Sequence, residues 1–429
     1  MMNAKERSDD SQTTENRSLK PEFGKRFTGI RRRKVHPSIP SVFLFFLVSF
    51  FVLGPIAPLS PPGLAAEWKV TPKIGVTGGY DDNIYFTEED KVDSSIVNVG
   101  PAVEVDYNAL RSSFNLTADW EILSYLDESD LNRVNQYYRF KGDHRLGERW
   151  DVRAGLRYYN DTTLKTYLEE TGRSAQREER AYAFGSGGLS YDISTVSSID
   201  ADYQYVNVRY EDDVYPEYDR HRVSLRYRHR LMTEQDTLLV GPSYYHRTND
   251  SNDTDYWSLD LGWRRDWSDI TRTYASIGAR YTEVDFADDR DDDDTWGALA
   301  RFNWRRRGLV SNLVFNYYHD LTTLVDGRDV NVDNLYLSYD HRLTERFGLG
   351  IRGRLVFTYD LLDNAEEEEV EDNRYYKIEP FLFYRLTEEF TLSAGYSYEN
   401  NSKDAFDSEQ TRERNRVFIQ LAYELPMMM

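Results

Sequence analysis

From Trp68 onward, apolar and polar residues alternate with a period of two. Between 68 and 80, Trp68, Val70, Ile74, Val76 and Tyr80 interleave with Lys69, Thr71, Lys73 and Thr77. Between 221 and 231, His221, Val223, Leu225, Tyr227, His229 and Leu231 interleave with Arg222, Ser224, Arg226, Arg228 and Arg230. Leu335, Leu337, Tyr339, His341 and Leu343 do the same against Ser338, Asp340 and Arg342. Successive side chains of a strand point to opposite faces, so each segment has one apolar and one polar face. About 18 such segments fit between Trp68 and Leu425, with roughly 16 to 20 as the bounds.

The connections alternate as well. Short turns are expected near 108–111, 147–149, 193–196, 232–235, 268–271, 306–308, 344–346 and 387–389. Longer polar loops are expected at 160–180, 285–294, 320–331, 360–372 and 400–413. One phrase recurs at the short turns: HRLGERWDV from His144, HRLMTEQDTL from His229, HRLTERFGL from His341 and YRLTEEFTL from Tyr384. Each copy ends a strand, crosses a charged turn and starts the next strand on an apolar residue. Even strand number, short turns on one side and long loops on the other predict an all-β fold: a transmembrane, antiparallel, up-and-down β-barrel of about 18 strands. Its short turns would face the periplasm.

Aromatic residues sharpen the membrane reading. Trp150, Trp267, Trp304, Phe347 and Phe390 flank short turns. Tyr158, Tyr210, Tyr244, Tyr281, Tyr317, Tyr359 and Tyr398 lie near the far strand ends. Two aromatic girdles about ten residues apart would bracket an apolar band about 25 Å tall. Outer-membrane lipid and lipopolysaccharide are the partners this surface implies.

Composition narrows the function. Tyrosine contributes 33 residues and aromatics 14% of the chain, which suits strands. The mean hydropathy of −0.71 argues against a bundle of membrane helices. The net charge of −21 argues against nucleic acid as a partner. The absence of cysteine excludes disulfides, cysteine metal sites, a thiol nucleophile and a lipid anchor on a mature N-terminal cysteine. No cofactor or metal site is expected. Residues 1–66 differ from the rest: Arg31 to Lys34 precede the apolar run Val42–Leu53, and Gly63-Leu64-Ala65-Ala66 follow. That order predicts an N-terminal extension and a secretory signal cleaved after Ala65 or Ala66, leaving residues 67–429 as the barrel.

The stretch GVTGGYDDNIYFT, residues 75 to 87, ends the first strand in Tyr80-Asp81-Asp82-Asn83-Ile84. With the signal and the barrel pattern, it resembles the β-barrel porin families of Gram-negative bacteria, in particular a group found with exopolysaccharide and exosortase loci. The resemblance implies an outer-membrane location and folding by the barrel-assembly machinery. A periplasmic polysaccharide-export partner is a further implication. The tail departs from the usual aromatic end of such proteins: Phe418 and Tyr423 lie near it, and the last residue is Met429.

A barrel this wide leaves a water-filled lumen unless loops fold into it. Inward positions expected to line the pore are Arg153, Arg157, Arg222, Arg226, Arg228, Arg264, Arg301, Arg352 and Arg354 on the basic side. Glu104, Asp106, Asp119 and Glu121 are expected on an acidic side. Asp200 and Asp202 are expected opposite Arg226 and Arg228. Unpaired arginines would attract anions; paired ones would stiffen the wall. The acidic runs 288–294 and 366–369 invite divalent cations only as oxygen-rich loops and lack the spacing of a calcium loop. His246 and His319 have no nucleophile at a useful spacing, so no catalysis is expected. Three function classes remain: a passive porin-like channel for small polar or anionic solutes, an export channel for an extracellular polysaccharide, and a closed structural or adhesive barrel.

Overall fold

The computed structural model describes residues 66–173, 177–211, 215–287, 293–325, 327–361, 372–405 and 408–428. The signal-like segment before Ala66, the run 366–369 and most of the run 288–294 lie outside the described residues.

Eighteen long strands follow one another: β1 (Glu67–Asp81), β2 (Ser94–Asn108), β3 (Ser112–Tyr125), β4 (Arg133–Leu146), β5 (Trp150–Thr162) and β6 (Glu179–Asp192). Next come β7 (Ser197–Tyr210), β8 (Tyr218–Arg230), β9 (Asp236–Asn249), β10 (Asn252–Ser268), β11 (Thr271–Phe286) and β12 (Asp293–Arg307). The last six are β13 (Ser311–Thr323), β14 (Asp329–Arg342), β15 (Phe347–Asp360), β16 (Asp372–Arg385), β17 (Phe390–Ala405) and β18 (Ser408–Glu424). Every strand pairs antiparallel with its neighbours in sequence. β1 also pairs with β18, from Lys73↔Glu424 to Asp81↔Arg416, so the sheet closes on itself. A two-residue strand, β19 (Met427–Met428), continues this seam against Lys69 and Val70. Closure leaves no edge whose N–H and C=O groups would face lipid.

The register assigns every position to a face, because directly paired residues share one. Ile74, Val223, Leu261, Ile277, Leu355 and Ile419 fall on the outward face and are 40–70% exposed, which marks it as the surface that meets an apolar solvent. The girdle residues Trp150, Trp267, Trp304, Phe347, Phe390, Tyr158, Tyr281, Tyr317 and Tyr359 share this outward face. This is an outer-membrane-type barrel.

The far girdle has a local device. Tyr244 donates its hydroxyl to Asp255, which also takes His246 at 2.9 Å. Tyr317 donates to Asp333, which takes His319 at 3.0 Å. Tyr205 and Asn207 meet Asp219 in the same way, and Tyr398 and Asn400 meet Glu413. In each, a Tyr-x-His/Asn strand places both side chains against one carboxylate of the next strand. Tyr210 departs from the expectation: it pairs with Arg180 on the lumen face, one position out of phase with outward Tyr205.

The eight short turns stand where the alternation placed them. The recurring phrase has a physical basis: Thr344 Oγ1 accepts the Phe347 N–H at 2.9 Å, and Thr387 Oγ1 accepts the Phe390 N–H at 3.1 Å. Thr233 does the same for Asp236 at 3.2 Å, and Gly147, at φ 75°, replaces the threonine in the first copy. Two of the expected long loops are largely strand instead. Thr323↔Asp329 and Ala405↔Ser408 still pair, so 320–331 and 400–413 are hairpin extensions beyond the apolar band. Their polar composition reflects water on both faces. The 160–180 connection is no open loop either; it holds a helix.

Candidate transport pore

That helix, α1 (Thr163–Thr171), leaves β5 and rejoins β6. Leu164, Tyr167 and Leu168 share one face at the i, i+3, i+4 spacing. Leu164 and Leu168 bury against Val332 of β14, Val356 of β15 and Tyr375 of β16, together with Phe86 from the β1–β2 connection. Tyr167 buries against Leu324 and Val330. Val332, Val356 and Tyr375 are lumen-facing, so α1 crosses the barrel interior to the wall formed by β14–β16. Burying a side chain of this size is worth about 1.5–3 kcal/mol, enough for a few of them to hold one short helix.

Polar contacts fix the helix end. Gly172 adopts φ 72°, and its N–H closes on the Leu168 carbonyl. A Cβ there would lie 3.1 Å from Val356 Cβ and 3.2 Å from Tyr375 Cβ, so glycine permits both the turn and the close approach. The last carbonyls of a helix lack internal partners. Here the wall supplies them: Asn334 donates to the Glu169 carbonyl, Thr358 to that of Thr171, and Asn373 and Asn401 to that of Gly172. The Glu169 carboxylate takes Lys377 at 3.1 Å and lies 3.7 Å from Arg354.

The β1–β2 connection folds in beside α1, which gives the Asp81-Asp82-Asn83-Ile84 motif its role. Asn83 is fully buried and donates to the carbonyls of Thr87 and Glu413. Asp82 accepts the Asn415 backbone and side-chain N–H groups at 2.7 Å each. The motif therefore ties the chain to β18 and turns Ile84 and Phe86 into the interior, where both are 1% exposed.

Glu170 projects from α1 into the lumen in the field of Arg180, Arg220 and Arg354. Enclosure by the wall raises its pKa above the ordinary glutamate value, and the nearby guanidinium groups only partly offset this.

All thirteen expected pore positions fall on the lumen face of the register. Most are engaged. Arg153 pairs with Asp202 at 2.9 Å, Arg301 with Asp320 at 2.6 Å and Arg352 with Glu379 at 2.9 Å. Arg264 lies 3.5 Å from Asp266, and Arg354 is held by α1. Asp200 faces Arg226 across the strands but makes its ion pairs with Arg228, at 2.7 Å, and Arg153, at 3.5 Å. Asp202 faces Ser224 rather than Arg228 and goes to Arg153. Long arginine side chains reach the diagonal carboxylate, which direct cross-strand counting does not anticipate. Arg157 lies over the Phe184 ring at 4.7 Å, Arg222 reaches the Ser243 hydroxyl, and Arg226 has no ion pair among the described residues. On the acidic side, Glu104 pairs with Lys73 at 2.8 Å and Asp119 with Arg139 at 2.8 Å. Asn115 donates to Asp106, and Asn135 donates to Glu121.

Sequence reasoning missed Glu169, Glu170, Lys377 and Arg220. The signal for α1 was present: Leu164, Tyr167 and Leu168 at helical spacing, then Gly172 as a stop. Among the described residues no group of three His, Asp or Glu side chains forms a metal set.

No protein-family model and no curated protein matches the chain. Among solved structures it is similar to Pseudomonas aeruginosa OccK2 (OpdF) in complex with glucuronate, at 13% identity over 84% of this chain and 98% of that one, with a TM-score of 0.41. It is similar to Acinetobacter baumannii OccAB3 at 10% identity over 84% and 99%, with a TM-score of 0.44. For Pseudomonas aeruginosa OpdK with vanillate the values are 11%, 84%, 99% and 0.44. At this level the likeness concerns the fold alone.

Proposed function

We propose that the chain is a porin-like outer-membrane channel through which small polar or anionic solutes pass passively. One observation carries this reading: the barrel is apolar outside and densely charged inside, and an inward helix narrows a lumen too wide for wall side chains to fill. A structural barrel has no need of a lumen face with this many ionisable groups. The arginines, with Glu170 beside them, would act by charge selection at the narrowed level. The outward band takes outer-membrane lipid and lipopolysaccharide, and the barrel-assembly machinery inserts the protein.

Single-channel conductance of the refolded chain in a planar bilayer, with the reversal potential under a salt gradient, tests the proposal. An ohmic conductance with anion preference is the expected result. Folded protein that carries no current would move the weight to a closed structural barrel. Export of an acidic extracellular polysaccharide is the second reading; the arginines of the β8–β12 wall that have no ion pair among the described residues, Arg226 and Arg305 among them, favour it, and a periplasmic export partner would then be required.

A further inference from the structure

The lumen arginines are not distributed evenly along the barrel axis. At the long-loop end three of them are matched to carboxylates, Arg180 to Asp161, Arg247 to Asp329 and Arg414 to Glu399, all buried, while Arg280 is 1% exposed against Asn331 and Arg220 lies over the Tyr245 ring. At the short-turn end of the β8–β12 wall they outnumber the carboxylates. Arg226 and Arg230 of β8, Arg264 of β10, Arg272 of β11, and Arg305 and Arg307 of β12 all lie on the lumen face there. Asp266 is shared between Arg264 and Arg272. Asp236, at the same level, faces outward and is taken by Trp263 and Arg265. Among the described residues Arg226, Arg230, Arg305 and Arg307 have no ion pair. A cavity of about 570 Å³ opens between the turns of this wall, lined by Arg272, Arg305 and Arg307 together with Asp266, Asp269 and Gln235.

We propose that this short-turn mouth is a docking site for an oligoanion, a chain carrying several carboxylates, which loads the pore from the side of the short turns. The inference rests on the channel reading above and adds the ligand class and the side of loading. The size of the patch carries the choice of ligand. Five adjacent strands spaced by about 4.8 Å spread the guanidinium groups over roughly 20 Å, farther than one small anion reaches. Arginine matches planar carboxylates with paired N–H donors, and several such contacts act together on a linear chain. At the other end the matched pairs carry no net charge and Arg280 is buried, so the exposed positive field is stronger at the short-turn mouth and favours approach from that side.

The test uses the full chain folded in detergent and labelled trigalacturonate, with maltotriose as the neutral control and tripolyphosphate as the phosphate-bearing alternative. Trigalacturonate is expected to bind and maltotriose not. The Arg226→Ser/Arg305→Ser variant should weaken binding about tenfold or more. Arg306→Ser, which removes one such charge at the same end but on the outward face, should leave it unchanged. If the double variant does not fold, Arg230→Gln at the exposed strand end serves instead. Equal affinity in wild type and variant, or equal loss with Arg306→Ser, would overturn the site. Preference for tripolyphosphate would overturn the choice of carboxylate.

In bilayers, trigalacturonate should block current at lower concentration from the short-turn chamber. Leu110→Cys in the β2–β3 short turn, the sole thiol in a chain without cysteine, reports which chamber that is. Symmetric block would sink the claim about loading side. Binding without any conductance would leave the docking site standing and sink the channel reading. Conductance without binding would do the reverse.

Discussion

Glu169 of α1 holds Lys377 of β16 at 3.1 Å and so joins the connection after the fifth strand to the opposite wall of the barrel. Lys377 also lies 3.7 Å from Glu399 and 3.8 Å from Glu379, which makes it the hub between the helix and the wall. The narrowing of the lumen depends on this junction and on the apolar contacts of Leu164 and Leu168.

Glu169→Gln removes the charge and keeps the size. Its contact with Lys377 is half-buried, so the loss is about 1 kcal/mol, too little to unfold the barrel. The expected result is a higher and noisier single-channel conductance with unchanged strand content by circular dichroism. Conductance identical to the wild type would show that the apolar contacts alone position α1.

Glu170 gives the channel a pH dependence with a defined sign. Its pKa in the folded protein is raised above the ordinary value of 4.5, so it gains a proton at a higher pH than an exposed glutamate does. Protonation removes one negative charge facing Arg180 and Arg220. Anion preference should therefore rise as pH falls through a midpoint above 4.5. The same shift means that the contribution of this group to stability falls as pH rises from the unfolded value through the folded one. Reversal potentials measured between pH 7 and pH 4 check this, and Glu170→Gln should hold the high preference at every pH.

The outward face predicts depth. Leu261 is 57% exposed in the middle of β10 on that face. Leu261→Arg should cost about 2–4 kcal/mol of folding stability in lipid if the position lies near the bilayer midplane. Folding into liposomes, followed by urea titration, measures it. A cost below about 1 kcal/mol would place Leu261 near an interface and shift the membrane band along the barrel.

Much of the fold was legible because a strand's period of two writes its two environments directly into sequence. Val223 and Leu225 against Arg222 and Arg226 are enough to assign both faces of β8, and the threonines of the recurring turn mark where strands end. The far ends were harder to read. Beyond the apolar band both faces meet water, so alternation fades. The hairpin extensions around Thr323↔Asp329 and Ala405↔Ser408 therefore look like loops.

By itself, then, the sequence determined the all-β class, the strand order, the faces of the wall and the positions of the short turns, since these follow from local periodicity and turn chemistry. Only the tertiary structure decided what fills and charges the lumen. Glu169 meets Lys377 across more than two hundred residues, Arg228 rather than Arg226 takes Asp200, and Phe86 reaches Leu168. The inward helix and the β1–β2 connection make the long-range contacts by carrying their side chains across the lumen, and the diagonal reach of arginine sets the β7–β8 pair; no local pattern encodes either.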